Sequence, residues 1–212
     1  MSTGEQQRRR TQSGDDPRLS PVHRKLLKER YGLRDSTIDA WGCFSVSQAD
    51  LCNFATGVLA PGIALPIFPP GRRKSAGFLY RPDHPRVKKR NGKEHVCKYE
   101  QALGAQNHIH VPRTVQARLD QCAVRTLVIT EGPIKAEVAA QVGIDCIALL
   151  GVWNFRQRIG GESFPIRDLS KLPWEQLDKV EIAFDSDAAT NQNVLKAERA
   201  LTNSILEFGA ER

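Results

Sequence analysis

The stretches TLVITEG, residues 126–132, and VEIAFDSD, residues 180–187, decide how this chain is organised. Each begins as a short apolar run that is typical of a buried strand, and each run ends in acidic residues. Glu131 ends the first run, whereas Asp185 and Asp187 follow the second. If the two runs are neighbouring parallel strands, the three carboxylates emerge at the carboxyl edge of the sheet, where open α/β sheets bind their ligands.

These carboxylates predict a site for a divalent cation. Magnesium prefers oxygen ligands and is commonly held by one or two carboxylates together with substrate phosphates. Crowded carboxylates also repel one another unless a cation lies between them. The structural alternative is that Glu131 caps the next helix and that Asp185 and Asp187 begin a solvated turn. Because two strand ends carry the same pattern, we expect Mg²⁺, or Mn²⁺ in its place, at all three residues.

Positive charge is concentrated in one segment of the chain. The 212 residues carry a formal net charge of +7, and residues 71–98 hold ten Lys or Arg against two acidic residues. Such a local excess is typical of a surface that binds nucleic acid, because neutralised phosphates release counterions. A solvated basic loop is the alternative. The candidate contacts in this segment are Arg72, Arg73, Lys74, Arg81, Lys88, Lys89, Arg90 and Lys98.

The composition is ordinary for a soluble globular protein, with 40% hydrophobic and 26% charged residues. No apolar run approaches the length of a membrane span, and the first residues lack the apolar stretch of a signal peptide. Five scattered cysteines without a Cys-x-x-Cys pair fit free thiols in a reducing compartment. We therefore expect a cytoplasmic protein without a membrane partner.

The amino-terminal region predicts a polar tail followed by a small helical head. Residues 1–20 have little to bury and are expected to be disordered. Residues 22–31 predict a helix that Gly32 ends, and residues 35–37 predict the cap of a second helix that ends at Gly42. Trp41 lies at helical spacing in that second helix and is expected in the core.

Strand signals follow the helical head. Residues 63–68 and 76–81 predict a β-hairpin, with the basic run 86–93 as its outer loop. His108 and His110 are expected to share one face of a strand. Without a third ligand nearby, this spacing favours ordinary polar or nucleic-acid-facing histidines over a metal site.

The remaining residues alternate between strand and helix. Strands are predicted at 126–130, 145–150 and 179–184. Pro133 opens the first helix after Gly132, and we expect Val138, Ala139 and Val142 to form its apolar face. A last helix at 191–208 carries apolar residues at spacings of three and four and packs on the sheet.

TEGPIKA, residues 130–136, and AFDSDAA, residues 183–189, resemble the signature of the Toprim domain. That signature is a Glu-Gly at a strand end followed later by Asp-x-Asp. The resemblance implies that Glu131, Asp185 and Asp187 are the catalytic and metal-binding residues. Toprim domains serve bacterial-type primases, topoisomerases, recombination proteins and certain nucleases.

The preceding region resembles the catalytic core of bacterial, phage and plasmid primases. Residues 64–81 are similar to that core's hairpin, and residues 98–104 to the Lys-Tyr stretch that follows it. The resemblance implies that Arg81, Lys98 and Tyr99 line the path of template and nucleotide. Where bacterial primases usually carry an acid, this chain has Lys135, which we expect to contact nucleotide. The likeness is greatest to an uncharacterised Toprim-like domain near the start of plasmid and phage replication proteins, often ahead of a helicase.

We therefore expect an α/β fold: a Toprim-type, mostly parallel sheet with flanking helices, preceded by the helical head and a basic β-hairpin. The expected organisation is a tail at 1–20, a primase-core-like subdomain at 21–122, and a Toprim-like domain at 123–212. The sheet of that last domain ends before its expected final strand, so it is either short or the front part of a longer protein.

The expected function is magnesium-dependent nucleotidyl transfer on DNA, of the kind that makes primers in replication. Its partners would be a single-stranded DNA template, nucleotides and a replicative helicase. One alternative is an accessory module that binds nucleic acid for a helicase without doing chemistry. Another is a Toprim nuclease that uses the same carboxylates to activate water. The sequence favours chemistry, because a binding module has no need of three converging acids.

Overall fold

The computed structural model describes residues 19–47, 61–90, 92–102, 104–185 and 191–209. Asp187 and the tail predicted to be disordered, apart from its last two residues, lie outside the described residues. The described part is a mixed α/β protein that contains a four-stranded sheet with parallel strands. Its α/β class, expected from the sequence, is thereby confirmed.

Two helices form the head, α1 (Pro21–Tyr31) and α2 (Asp35–Trp41). Gly32 and Gly42 end them with left-handed φ values of 73° and 77°, as predicted. The predicted cap at residues 35–37 is wrong, because the helix already begins at Asp35 and no side chain caps it. Asp35 instead pairs with Lys28 and Arg24, and these two hydrogen bonds lower the pKa of its carboxyl.

An antiparallel sheet packs on the head in the order β1 (Phe44–Val46), β2 (Gly62–Ile67) and β3 (Gly77–Pro82). The hairpin predicted at 63–68 and 76–81 is therefore confirmed as β2 and β3. The backbone of β3 lies so close to Gly62 that a Cβ there would be 2.4 Å from the carbonyl oxygen of Arg81. Only glycine fits at that position.

The basic run predicted as an outer loop forms a second hairpin instead, β4 (Arg86–Arg90) and β5 (Lys93–Cys97). Val87 pairs with Val96 and Lys89 with Glu94 across the two strands, and such cross-strand pairs stabilise a hairpin even where the sequence is strongly charged. Gly92 has a φ of 73°, which suits the tight turn between the strands.

The central sheet contains β6 (Ile109–His110), β7 (Thr126–Glu131), β8 (Cys146–Leu149) and β11 (Lys179–Ala183) in the order β11-β7-β8-β6. Strands β11, β7 and β8 are parallel, and β6 is antiparallel to β8. Between β8 and β11 lies a hairpin that the sequence did not predict, β9 (Arg156–Ile159) and β10 (Glu162–Pro165).

Three helices accompany the central sheet, α3 (Arg113–Asp120), α4 (Pro133–Ala140) and α5 (Gln192–Glu207). The start of α4 at Pro133 is as predicted, and two residues of its predicted apolar face, Val138 and Ala139, pack against hydrophobic clusters of the core. The third predicted residue, Val142, is wrong, because it lies beyond the helix end and is 59% exposed. The residues that α4 buries most fully are Ile134, Ala136 and Glu137. Two hydrophobic cores meet at α4: Ile134 packs with the head, and Ala136 packs against β8.

The main core combines residues from β6, α3, the parallel strands and α5. Ile109, Val111 and Val115 belong to it although they precede residue 122. The domain boundary placed at 122 remains a prediction. In the described part of the chain, no helix is long and apolar enough to cross a membrane.

Candidate functional site at the carboxyl edge of the sheet

Glu131 and Asp185 reach the same edge of the central sheet. Strands β11 and β7 are in parallel register, with Ala183 opposite Thr130, so both chains leave the sheet on the same side. The hydroxyl of Thr130 donates a 2.8 Å hydrogen bond to the carbonyl oxygen of Ala183 and ties the two strand ends together. The expectation that these runs are parallel neighbours is confirmed. Asp187 lies outside the described residues.

The turn after Glu131 leads directly into a helix. Gly132 has a φ of 90°, which favours glycine, and its N–H donates to the carbonyl oxygen of Leu149 at 2.8 Å. Pro133 then occupies the first turn of α4, where its missing N–H costs no helical hydrogen bond. The turn therefore connects β7 to α4, and its hydrogen bond to Leu149 holds it against β8 at the edge that carries Glu131.

Lys135 on the first turn of α4 forms an ion pair with Asp185. Its side chain is 46% exposed and that of Asp185 59%, so water screens the pair and its contribution to stability is small. Four residues after Glu131, the chain therefore carries a cation that faces the carboxylate edge. Such an ammonium group can pair with a carboxylate or with a phosphate.

The residues at this edge suit magnesium. Glu131 and Asp185 supply carboxylate oxygens, and magnesium is usually bound by one or two protein carboxylates and completes its shell with water and phosphate. Within the described ranges, no group of three His, Cys, Asp or Glu side chains could hold a metal ion. The third acidic residue of the predicted set, Asp187, lies outside these ranges.

A groove of about 440 Å³ separates the end of α1 from α4 and reaches Lys135. Tyr31 lines it, and the hydroxyl of Tyr31 accepts a 3.1 Å hydrogen bond from Nε of Arg81. The Arg81 guanidinium also lies 5.7 Å from the centre of the Tyr31 ring. Burial and the neighbouring Tyr31 raise the pKa of Tyr99 to about 12, although Arg81 acts in the opposite direction. Arg81 and Tyr99 are thus packed around Tyr31, a residue that the sequence analysis missed.

The remaining basic candidates lie in two parts of the chain. Arg72, Arg73 and Lys74 lie in the segment between β2 and β3. The second group belongs to the hairpin of β4 and β5. Lys88, Lys89 and Arg90 lie on β4, and Lys98 comes just after β5. The side chains of Lys88, Lys89 and Lys98 are exposed, so they are available to a polyanion.

The expectation that His108 and His110 share one face is wrong. Strand β6 contains only two residues, so strand alternation does not extend to His108. His110 is fully buried, donates from Nε2 to Glu137 at 3.0 Å, and accepts at Nδ1 from the backbone N–H of Phe68 at 3.4 Å. Nδ1 of His108 instead lies 2.8 Å from Oδ2 of Asp168.

Trp153 is a further residue that the sequence analysis missed. It follows β8, which ends at the same edge as β7, and its indole N–H donates to Oδ1 of Asn193 at 3.0 Å. Asn193 lies at the start of α5, the helix that follows the segment carrying Asp187. The position of Trp153 just after a buried strand was the available signal, because ligands of α/β sheets bind beyond the carboxyl ends of the strands.

Residues 119–211 match a family that is described as a domain of unknown function (DUF3854). The match covers less than half of the chain and includes β7, α4, β8, β11 and α5. It therefore spans Glu131, Lys135, Asp185 and Asp187. No curated protein matches the chain.

Proposed function

We propose that the protein is a magnesium-dependent nucleotidyltransferase that acts on DNA and synthesises primers, with a Toprim-type fold. The observation that supports this most is the register of β7 and β11, which brings Glu131 and Asp185 to one edge of the sheet. Parallel sheets bind ligands at this edge, and the two carboxylates have the chemistry that magnesium prefers.

The residues divide into those that hold magnesium and those that hold phosphate. Asp185 and Asp187 would bind the ion, and Glu131 would complete its shell or accept the proton of the attacking hydroxyl. When bound, magnesium would neutralise phosphate charge and polarise the attacked phosphorus. Lys135 would exchange its partner Asp185 for a nucleotide phosphate.

The exposed basic residues would hold the nucleic acid. Lys88, Lys89 and Lys98 supply charge for a single-stranded template, whose backbone attracts cations whatever its sequence. Nucleotides, single-stranded DNA and a replicative helicase are the partners of this proposal, and the cytoplasm is its compartment.

The test is product formation by the purified protein with magnesium, single-stranded DNA and labelled ribo- and deoxyribonucleotides. Short new oligomers that disappear in Glu131→Gln would support the proposal. The matched control is Glu29→Gln, which removes an exposed glutamate of α1 and should leave activity unchanged.

Two other outcomes would replace the proposal. Shortened DNA that depends on Glu131 would indicate a nuclease that uses the same carboxylates to activate water. DNA binding without any product, also in the presence of a helicase, would indicate an accessory binding module.

A further inference from the structure

His108 lies at the same edge of the central sheet as Glu131. Leu149 of β8 pairs with Glu131 on one side and with Ile109 on the other, so the three residues form a row across the sheet. Neighbouring strands are about 4.8 Å apart, which puts the Cα atoms of Ile109 and Glu131 within about 10 Å of each other. Because β6 runs antiparallel to β8, His108 precedes Ile109 on the side toward which Glu131 leaves β7.

A buried carboxylate holds one nitrogen of the His108 ring. Oδ2 of Asp168 lies 2.8 Å from Nδ1 of His108 and accepts the backbone N–H of Ile109 at 3.2 Å. Oδ1 of Asp168 accepts a hydrogen bond from Lys171 at 3.2 Å. The Asp168 side chain is 4% exposed, whereas that of His108 is 20% exposed.

This arrangement determines the tautomer of the neutral ring. Because a carboxylate only accepts hydrogen bonds, Nδ1 must carry the proton, and Nε2 keeps a lone pair. Because Asp168 holds Nδ1, Nε2 is the nitrogen that can accept a proton, and 20% of the His108 side chain is exposed. His110 differs, because both of its nitrogens are engaged inside the core.

We propose that His108 is the general base of this edge and that Asp168 is its positioning residue. The inference rests on the proposed function and leaves Glu131 to bind metal. As the attacking hydroxyl oxygen forms its bond to phosphorus, its proton moves to Nε2 of His108. The bond from phosphorus to the leaving oxygen breaks, the leaving group takes that electron pair, and His108 then gives its proton to solvent.

The kinetic test compares His108→Gln with His84→Gln, which replaces an exposed histidine between β3 and β4. His108→Gln should lower turnover about 10²-fold at neutral pH, the usual contribution of a general base, without weakening DNA binding. The turnover of the wild type should fall at acidic pH, because imidazolium cannot accept a proton. His108→Gln should lack this acid limb of the pH profile. Lys171→Gln is a further control. Asp168 contacts the ring, whereas Lys171 contacts Asp168, so this variant should keep the loss of rate at acidic pH.

The outcomes separate this inference from the proposed function. If Asp185→Asn abolishes turnover while His108→Gln retains wild-type turnover and the acid limb, His108 is not the base. Turnover that survives in Asp185→Asn, or a wild type that forms no product, would overturn both.

A second test does not require activity. Nitrogen NMR of the labelled protein should show the neutral His108 ring protonated at Nδ1 and unprotonated at Nε2. Asp168→Asn should shift the ring toward the other tautomer. A wild-type ring protonated at Nε2 would overturn the proposal, because that nitrogen could not accept a proton.

Discussion

At the scale of single residues, charge balance at the carboxyl edge depends on two carboxylates and one ammonium group. Glu131 and Asp185 come from different strands, and Lys135 comes from the helix between them in the chain. In the proposed reaction, Asp185 binds the cation and Lys135 binds a phosphate. The ion pair between these two residues is then replaced by those contacts. Lys135 and Asp185 are exposed, so substitutions at these two positions should change chemistry more than stability.

The first prediction concerns the carboxylate after β11. Asp185→Asn keeps the shape of the side chain and removes its charge, so it should abolish magnesium-dependent product formation and leave DNA binding intact. Asp178→Asn is the matched control, because Asp178 is exposed at the opposite end of the same strand. Asp187→Asn should behave like Asp185→Asn, and equal activity in these variants and the wild type would remove the carboxylates from the site.

At the scale of elements, α4 connects the two cores of the protein. Its inner face buries Glu137, which accepts from His110 on β6, while the His110 ring lies 5.4 Å from that of Trp41 in the head. A buried polar pair of this kind is costly to break, because the partner left behind loses its hydrogen bond without gaining water.

The second prediction follows from this pair. His110→Phe should destabilise the protein by about 3 kcal/mol, because it leaves the Glu137 carboxylate and the N–H of Phe68 without a partner. Glu137→Gln keeps an acceptor for His110 and should cost less than about 1 kcal/mol. Urea unfolding measures both variants. Equal stability of His110→Phe and the wild type would show that the hydrogen bonds of His110 contribute nothing.

The hairpin of β4 and β5 separates its basic side chains by strand alternation. Lys88 lies on one face, and Lys89 lies on the other with Val87 and Val96. Arg86 belongs to the fold, because it forms an ion pair with the buried Glu100. A nucleic acid bound to one face would therefore use either Lys88 or Lys89.

The third prediction separates these faces. Neutralising Lys88, Lys89 and Arg90 together should weaken DNA binding and flatten its salt dependence. Of the single variants Lys88→Gln and Lys89→Gln, one should lower the slope of log affinity against log salt by about 0.7, the value for one phosphate on a single strand. Fluorescence anisotropy at several salt concentrations gives the slopes. An unchanged slope in the triple variant would make this hairpin a solvated surface.

At the scale of the whole molecule, the central sheet and its core include residues that precede the region matched by the family. That match begins at residue 119, whereas β6 and most of α3 precede it. Ile109, Val111 and Val115 are buried in the main core. The carboxyl-terminal part therefore packs as a unit with a segment that lies earlier in the chain.

The fourth prediction compares two fragments. Residues 105–212 should give a more stable and more cooperative unfolding transition than residues 123–212, which lack β6 and α3 and would expose their apolar contacts to water. Circular dichroism during urea unfolding measures this difference. Equal transitions for the two fragments would support an independent domain that starts at residue 123.

Much of the fold could be predicted because its signals are local. Apolar runs predicted β7, β8 and β11, and glycines predicted the ends of α1 and α2. The second basic hairpin was missed because charge dominated its pattern. The most buried residues of α4, Ile134 and Ala136, were missed because one helix contacts two cores, and periodicity alone does not identify which neighbours a helix has.

The sequence by itself determined that acidic residues follow two buried strands, since burial and chain direction both act within a few residues. Only the tertiary structure decided that Lys135 faces Asp185 and that Asp168 holds His108. These partners are 50 and 60 residues apart in the chain, so only the packing of strands and helices brings them together. Strand register aligned the carboxylates, and the antiparallel pairing of β6 brought a histidine to the same edge.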